Sequence, residues 1–185
     1  MITHKTSYLM EKTNLKRKTL SKEVRKFFFD KDKDKIVIEG LPDSEFDFGS
    51  FTKDLINFFV EENKFYNMIN INNTKIKEIC YEWLKGNSSE MYGVFCEAKG
   101  KTGVLLGFLR IRIKMMEGEP DDAVRISTLY VSKENRKKVI ATILLEFAEN
   151  LAIDRKKKKL RLRVFTKNKE AVALYEKNGF KMVEN

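Results

Sequence analysis

Three consecutive cations, Arg136, Lys137 and Lys138, stand at the head of the run NRKKVIATILLEFAE, residues 135–149, whose apolar residues recur at helical spacing. The run follows ISTLYV at 126–131, a compact apolar stretch that reads as a strand, so the chain passes from strand through a short basic turn into a helix. The first N–H groups of a helix have no partner inside it, and the macrodipole adds partial positive charge at the same end. Three full charges beside those amides make a place for a phosphate. The plainer alternative is a solvated turn whose cations hold nothing.

Few other side chains offer chemistry. His4 is the one histidine and sits in a polar terminus, which argues against Ser/His/Asp and Cys/His triads. Cys80 and Cys96 lie in apolar periodic segments, as reduced core thiols would, and form no zinc pattern, so no metal site is expected. With 185 residues, 42 % hydrophobic and 11 % aromatic, the chain supplies one folded unit with a real core. Its net charge of +10 favours anionic partners: nucleic acid, a phosphorylated cofactor, an acidic protein surface or an anionic membrane. Residues 1–20 carry charge throughout and lack the apolar length of a signal peptide or a span, so the cytoplasm is expected and a membrane partner is not.

The elements that must position this chemistry follow from periodicity. Residues 1–35 are strongly basic, end in DKDKDK and are expected to form a solvated N-terminal extension with a short helix near 20–29; residues 36–185 are expected to form the domain. IVIEGL at 36–41 reads as a strand, Ser50 as the cap of a helix through Phe51, Leu55, Phe58 and Phe59, and the stripe Ile76, Ile79, Cys80, Trp83 and Leu84 as a second helix. Strands are expected at 91–98, 103–114 and 123–131, forming an antiparallel meander. A helix over about 138–154 puts Ile140, Leu144, Phe147 and Leu151 on one face, with Thr142, Glu146, Glu149 and Asn150 opposite. LRLRVF at 160–165 alternates as a strand does, which makes the passage from 123 to 165 a parallel crossover. A last helix covers 169–177, Asn178 and Gly179 end it, and FKMVEN has room for one short strand.

VFTKNKEAVALYEKNGF, residues 164–180, resembles the closing motif of the GCN5-related N-acetyltransferase (GNAT) superfamily, in which an Asn after a strand, a small residue three positions on and then Leu-Tyr-Glu-Lys-x-Gly-Phe recur. Here they are Asn168, Ala171, Leu174, Tyr175, Glu176, Lys177, Gly179 and Phe180. Leu129, Tyr130 and Val131, followed by Arg136 to Ala141, are similar to that family's strand and phosphate loop. The resemblance implies an α/β fold with a mixed, mostly antiparallel sheet flanked by helices, and acetyl-CoA lying where two parallel strands splay apart. It also implies that Lys138, Val139, Ile140, Ala141 and Thr142 offer backbone amides to the pyrophosphate. The pantetheine arm would bond like an extra strand to Leu129, Tyr130 and Val131, Asn168 would contact it from the opposite wall, and Tyr175 would protonate the leaving thiolate after an amine attacks the thioester.

This sequence departs from the family at the turn, with Lys137, Val139 and Ala141 where three glycines are common. Two outcomes are open: an enzyme with a modified loop, or a scaffold that has lost acetyl-CoA and binds nucleic acid or an acidic partner through its basic surface. No general base is evident, the nearest acids being Glu97, Asp121 and Asp122. Phe108, Arg110, Arg112 and Lys114 alternate onto one strand face, Arg125 lies on the next strand and Arg161 with Arg163 on the one after. If their registers agree they form a basic band, suited to an anionic acceptor such as a charged tRNA or an acidic protein N-terminus. The chain stops soon after Gly179, where relatives add a final strand. The edge this leaves is open, covered by residues 1–35, or paired in a homodimer.

Overall fold

The computed structural model describes residues 7–18, 35–41, 89–97, 104–112, 121–137 and 139–183, with isolated helical positions at 53, 56–58, 74 and 78. Seven strands, β1 (Ser7–Lys12), β2 (Lys35–Leu41), β3 (Ser89–Glu97), β4 (Val104–Arg112), β5 (Ala123–Val131), β6 (Lys159–Phe165) and β7 (Lys181–Met182), form one sheet in the order β2-β3-β4-β5-β6-β1-β7. The pair β5/β6 is parallel and the other neighbours are antiparallel, the mixed sheet that the alternation of 103–114, 123–131 and 160–165 predicts. Helix α1 (Ile140–Asp154) makes the crossover between the parallel strands, and α2 (Lys169–Lys177) carries the chain from β6 to β7. The helices expected over 51–59 and 76–84 are helical at the described positions; the rest of them, the helix near 20–29, His4, Cys80 and Lys114 lie outside the described residues.

The N-terminal segment corrects one expectation. Residues 7–12, read as part of a solvated extension, are a strand inside the sheet: β1 pairs along its length with β6, from Ser7 opposite Phe165 to Lys12 opposite Leu160, and its Met10 and Glu11 pair with β7. Met10 is fully buried in the core and Tyr8 packs against it. The place beside β6, expected to be open, covered by residues 1–35 or paired in a homodimer, is filled by the N-terminal strand.

Helix α1 supplies the second correction. Ile140, Ile143, Leu144, Leu145, Ala148 and Ala152 are buried against the sheet, but so is Glu149, expected on the solvent face. Charge at a helix surface normally faces water; here the end of β1 and the residues after it run across α1 and bring partners. Lys12 Nζ donates to Glu149 Oε2 at 2.6 Å, the Lys16 amide donates to Oε1 at 2.7 Å, and Asn150 exchanges hydrogen bonds with the Lys18 backbone. Two bonds to one carboxylate offset the cost of taking its charge out of water.

The basic run after α1 ends that helix and is tied down. Arg155 pairs with Glu90, which also accepts from the Tyr92 hydroxyl at 2.5 Å, while Lys157 and Lys159 pair with Asp121 and Asp122. At the other corner, α2 stops at Asn178, and Gly179 takes φ +86°, the left-handed turn that lets the Phe180 amide reach the Tyr175 carbonyl. Phe180 then seals the core. Among the described residues no helix is long and apolar enough to cross a membrane.

Candidate acetyl-transfer site

Strands β5 and β6 run side by side from Ala123/Lys159 to Ile126/Leu162, and their pairing stops there although both strands continue. One residue further, β5 bulges: Arg110 of β4 faces Thr128 and Ile111 faces Ile126, so Ser127 opposes no residue of β4. Its hydroxyl donates to the Arg110 carbonyl at 3.1 Å. A bulge adds local twist and frees backbone from the ladder, and it sits here where the parallel pair opens. Nothing in the spacing of AVRISTLYV marks it.

Beyond the opening, β5 presents its backbone unevenly. Ser132 N–H donates to the Leu106 carbonyl of β4 at 3.0 Å, so by the alternation of a strand Tyr130 also turns its backbone toward β4, while Leu129 and Val131 turn theirs into the gap. Tyr130 instead gives its ring, buried against Phe108 and Phe58 at centroid separations of 5.4 and 5.9 Å. Gly107 makes the close strand contact possible, since a Cβ there would stand 2.6 Å from the Tyr130 carbonyl oxygen.

The basic turn is more ordered than a solvated loop. A single 3-10 turn spans Lys133–Asn135, and Arg136 folds back so that its Nε donates to the Val131 carbonyl at 3.0 Å and its guanidinium lies 5.7 Å from the Tyr130 ring centre. One of the two cleft-facing carbonyls is therefore already taken. Lys137 adopts φ +57°, the left-handed conformation that glycine takes without strain, whereas Val139 sits at φ −70°, ψ 5°, as any residue can. The β-branched side chain of Val139 packs against the core, as does Ala141. Lys138 lies outside the described residues.

Val139 caps α1 without a side-chain hydrogen bond, and the first turn holds no acid. Among the described residues, the amides of Ile140, Ala141 and Thr142 precede the first helical bond, from Ile143 N–H to the Val139 carbonyl at 2.9 Å. A cleft of about 410 Å³ begins at Thr142, runs along α1 past Leu145, Glu146 and Glu149, and is lined also by Lys12, Lys18, Lys177 and Gly179.

The residues expected on the far wall are placed by α2. Asn168 is its N-cap, with Oδ1 accepting the Ala171 amide at 3.1 Å, which leaves its amide NH₂ for another partner. Tyr175 is 8 % exposed, its ring 5.8 Å from that of Phe180. The expected acids are not assembled with them: Asp121 and Asp122 are paired with lysines at the start of β5, at the opposite end of that strand from the helix mouth. The side chain of Glu97 lies outside the described residues.

A mixed sheet that opens between its two parallel strands, with a bare helix mouth at the opening, defines a GNAT-type N-acetyltransferase. The chain belongs to the acetyltransferase (GNAT) family, whose model matches residues 56–180. Its fold is similar to that of a probable acetyltransferase at 22 % identity and TM-score 0.56, covering 81 % of this chain and 91 % of the other. It is similar also to the aminoglycoside N-acetyltransferase AAC(6')-Iy in complex with CoA, at 13 % identity and TM-score 0.56 over 82 % and 91 % of the two chains. An aminoglycoside acetyltransferase from an uncultured soil metagenomic sample matches at 20 % identity and TM-score 0.52 over 78 % and 91 %. No curated protein matches the chain.

Proposed function

We propose that the chain transfers an acetyl group from acetyl-CoA to an amine by direct attack. The observation that carries this is the coincidence, at one place, of the opened β5/β6 pair, the bulge at Ser127 and the bare amides of α1. The diphosphate binds the amides of Ile140, Ala141 and Thr142, helped by the positive potential of the basic turn. The adenosine end follows the cleft flanked by Lys18 and Lys177. The pantetheine arm takes the Leu129 backbone groups and the Val131 amide that β6 leaves unpaired, with the Asn168 amide opposite.

In the chemical step the amine nitrogen attacks the thioester carbonyl carbon, whose oxygen gains negative charge and is met by the Ser127 amide. The carbon–sulfur bond then breaks, and Tyr175 gives its phenolic proton to the departing thiolate. The proton lost by the amine leaves through water. The setting is the cytoplasm, where Cys80 and Cys96 stay reduced.

Release of free CoA thiol from acetyl-CoA, followed over a panel of primary amines, tests the proposal. Amine-dependent release that falls about 100-fold in Tyr175→Phe is expected, the range of a lost general acid. Release that is independent of amine, or unchanged in that variant, contradicts it.

A further inference from the structure

The sheet face away from α1 carries a group of arginines brought to one level by the register of three strands. Arg112 of β4 is directly opposite Arg125 of β5, and Arg125 is directly opposite Arg161 of β6. Three guanidinium side chains thus leave adjacent strands at one level, within roughly 10 Å of one another as two strand spacings dictate. Arg163 follows two residues on along β6, and Arg110 two residues back along β4, both on the same face. The bulge is what admits Arg125: without the extra residue Ser127, Thr128 and Arg125 would point to opposite sides of the sheet.

Like charges directly opposite one another across strands destabilise a sheet. The effect is visible in the side chains. Arg125 is held below its ordinary basicity by burial and then by the charges of Arg112, Arg163 and Arg161; Arg110 is lowered by burial and by Arg112. Among the described residues, Arg112 Nη1 and Arg161 Nε are buried with no hydrogen-bond partner, although Arg161 pairs with Glu11 of β1. The level of Arg125 and Arg161 is one residue before Ile126 and Leu162, where the parallel strands part. The cluster therefore borders the acyl end of the cleft, on the side opposite the helices that hold the coenzyme.

We infer that the acceptor amine carries an oxyanionic group, a carboxylate or a phosphate, which the guanidinium groups of Arg112, Arg125 and Arg163 bind on the sheet face opposite α1. The inference rests on the acetyl-transfer reading of the opened strands. Planar guanidinium forks match both oxyanions in bidentate geometry, and an anion among them turns mutual repulsion into attraction. A patch about three strands wide fits one such group rather than a length of polynucleotide.

The test uses the full chain and matched acceptor pairs, ethanolamine against O-phosphoethanolamine and propylamine against β-alanine. The anionic member of one pair should be acetylated at least about tenfold more efficiently, the range of a charge-assisted contact, and the pair that responds tells phosphate from carboxylate. Arg112→Gln and Arg125→Gln should raise the KM for that member about tenfold and narrow the ratio. Arg112→Gln should also raise Tm, because it removes repulsion; a fall in Tm marks a structural arginine and overturns the inference. Titration of inorganic phosphate and of acetate by calorimetry reads the cluster without catalysis. Saturable heat with either ion that Arg112→Gln abolishes supports the inference even if acetyl-CoA does not bind, a result that would sink only the acetyl-transfer reading. Equal turnover of both members of each pair, no saturable heat with either ion, or tighter and steeply salt-dependent binding of a single-stranded RNA overturns it.

Discussion

Lys12 of the N-terminal strand and Glu149 of α1 meet through a 2.6 Å hydrogen bond, with 1 % of the Glu149 side chain exposed, across 137 positions of sequence. The bond joins two parts of the structure: β1, which fills the place between β6 and β7, and the helix whose first turn borders the cleft. Removing one partner of a buried pair leaves the other uncompensated. Lys12→Ala or Glu149→Ala should therefore lower unfolding stability by about 3 kcal/mol. In either variant the segment at 12–18 should gain hydrogen exchange ahead of the rest of the sheet. Global unfolding with uniform exchange would show that the strap is not held by this bond.

The turn before α1 makes a different kind of prediction, because its two unusual residues differ in backbone. Lys137 sits at φ +57° and Val139 at φ −70°. Lys137→Gly relieves left-handed strain and should be neutral or stabilising by up to about 1 kcal/mol. Val139→Gly loses core packing and should cost about 1 kcal/mol. Thermal unfolding of the two variants side by side checks the sign of each.

Gly107 is needed for a strand contact rather than for a turn. A methyl group there would stand 2.6 Å from the Tyr130 carbonyl oxygen and 3.2 Å from Val131 Cα. Gly107→Ala should push β4 from β5, costing about 2 kcal/mol in denaturant unfolding and weakening acetyl-CoA binding through the displaced Val131. Unchanged affinity with lowered stability would separate the strand contact from the cleft.

Tyr92 gives an alkaline signature. Burial first, and then its hydrogen bond to Glu90, push its phenol from 10 up to about 12. A pKa raised in the folded state favours the neutral form, so its contribution is fully present below about pH 10 and lost as pH rises toward 12. Wild-type stability should decline over that window, and Tyr92→Phe should flatten the decline. Spectrophotometric titration should find one phenol ionising late.

Much of this architecture was legible because alternation and helical period leave marks in sequence: β4, β5 and β6, the crossover helix and the Gly179 corner all fall where spacing puts them. The strand at 7–12 was not legible, since SYLMEK offers only Tyr8 and Met10 to the core and its charges resemble those of a solvated arm. The burial of Glu149 is hidden for the same reason, its partners lying in a segment far away in sequence. For the site, the helix mouth could be read from three cations before an apolar period, while the roles proposed for Asn168 and Tyr175 come from the resemblance alone. The bulge at Ser127 could not, because one extra residue in a strand alters pairing without altering composition. It also settles which face Arg125 joins, so the common level of Arg112, Arg125 and Arg161 emerges only from the register.

The central claim is that the bare amides opening α1 hold the diphosphate of acetyl-CoA. A crystal structure of the chain grown with saturating acetyl-CoA tests this most directly. Diphosphate oxygens are expected about 3 Å from the backbone nitrogens of Ile140, Ala141 and Thr142, with the arm running between β5 and β6. Coenzyme bound elsewhere, or a helix mouth empty at saturation, would contradict it.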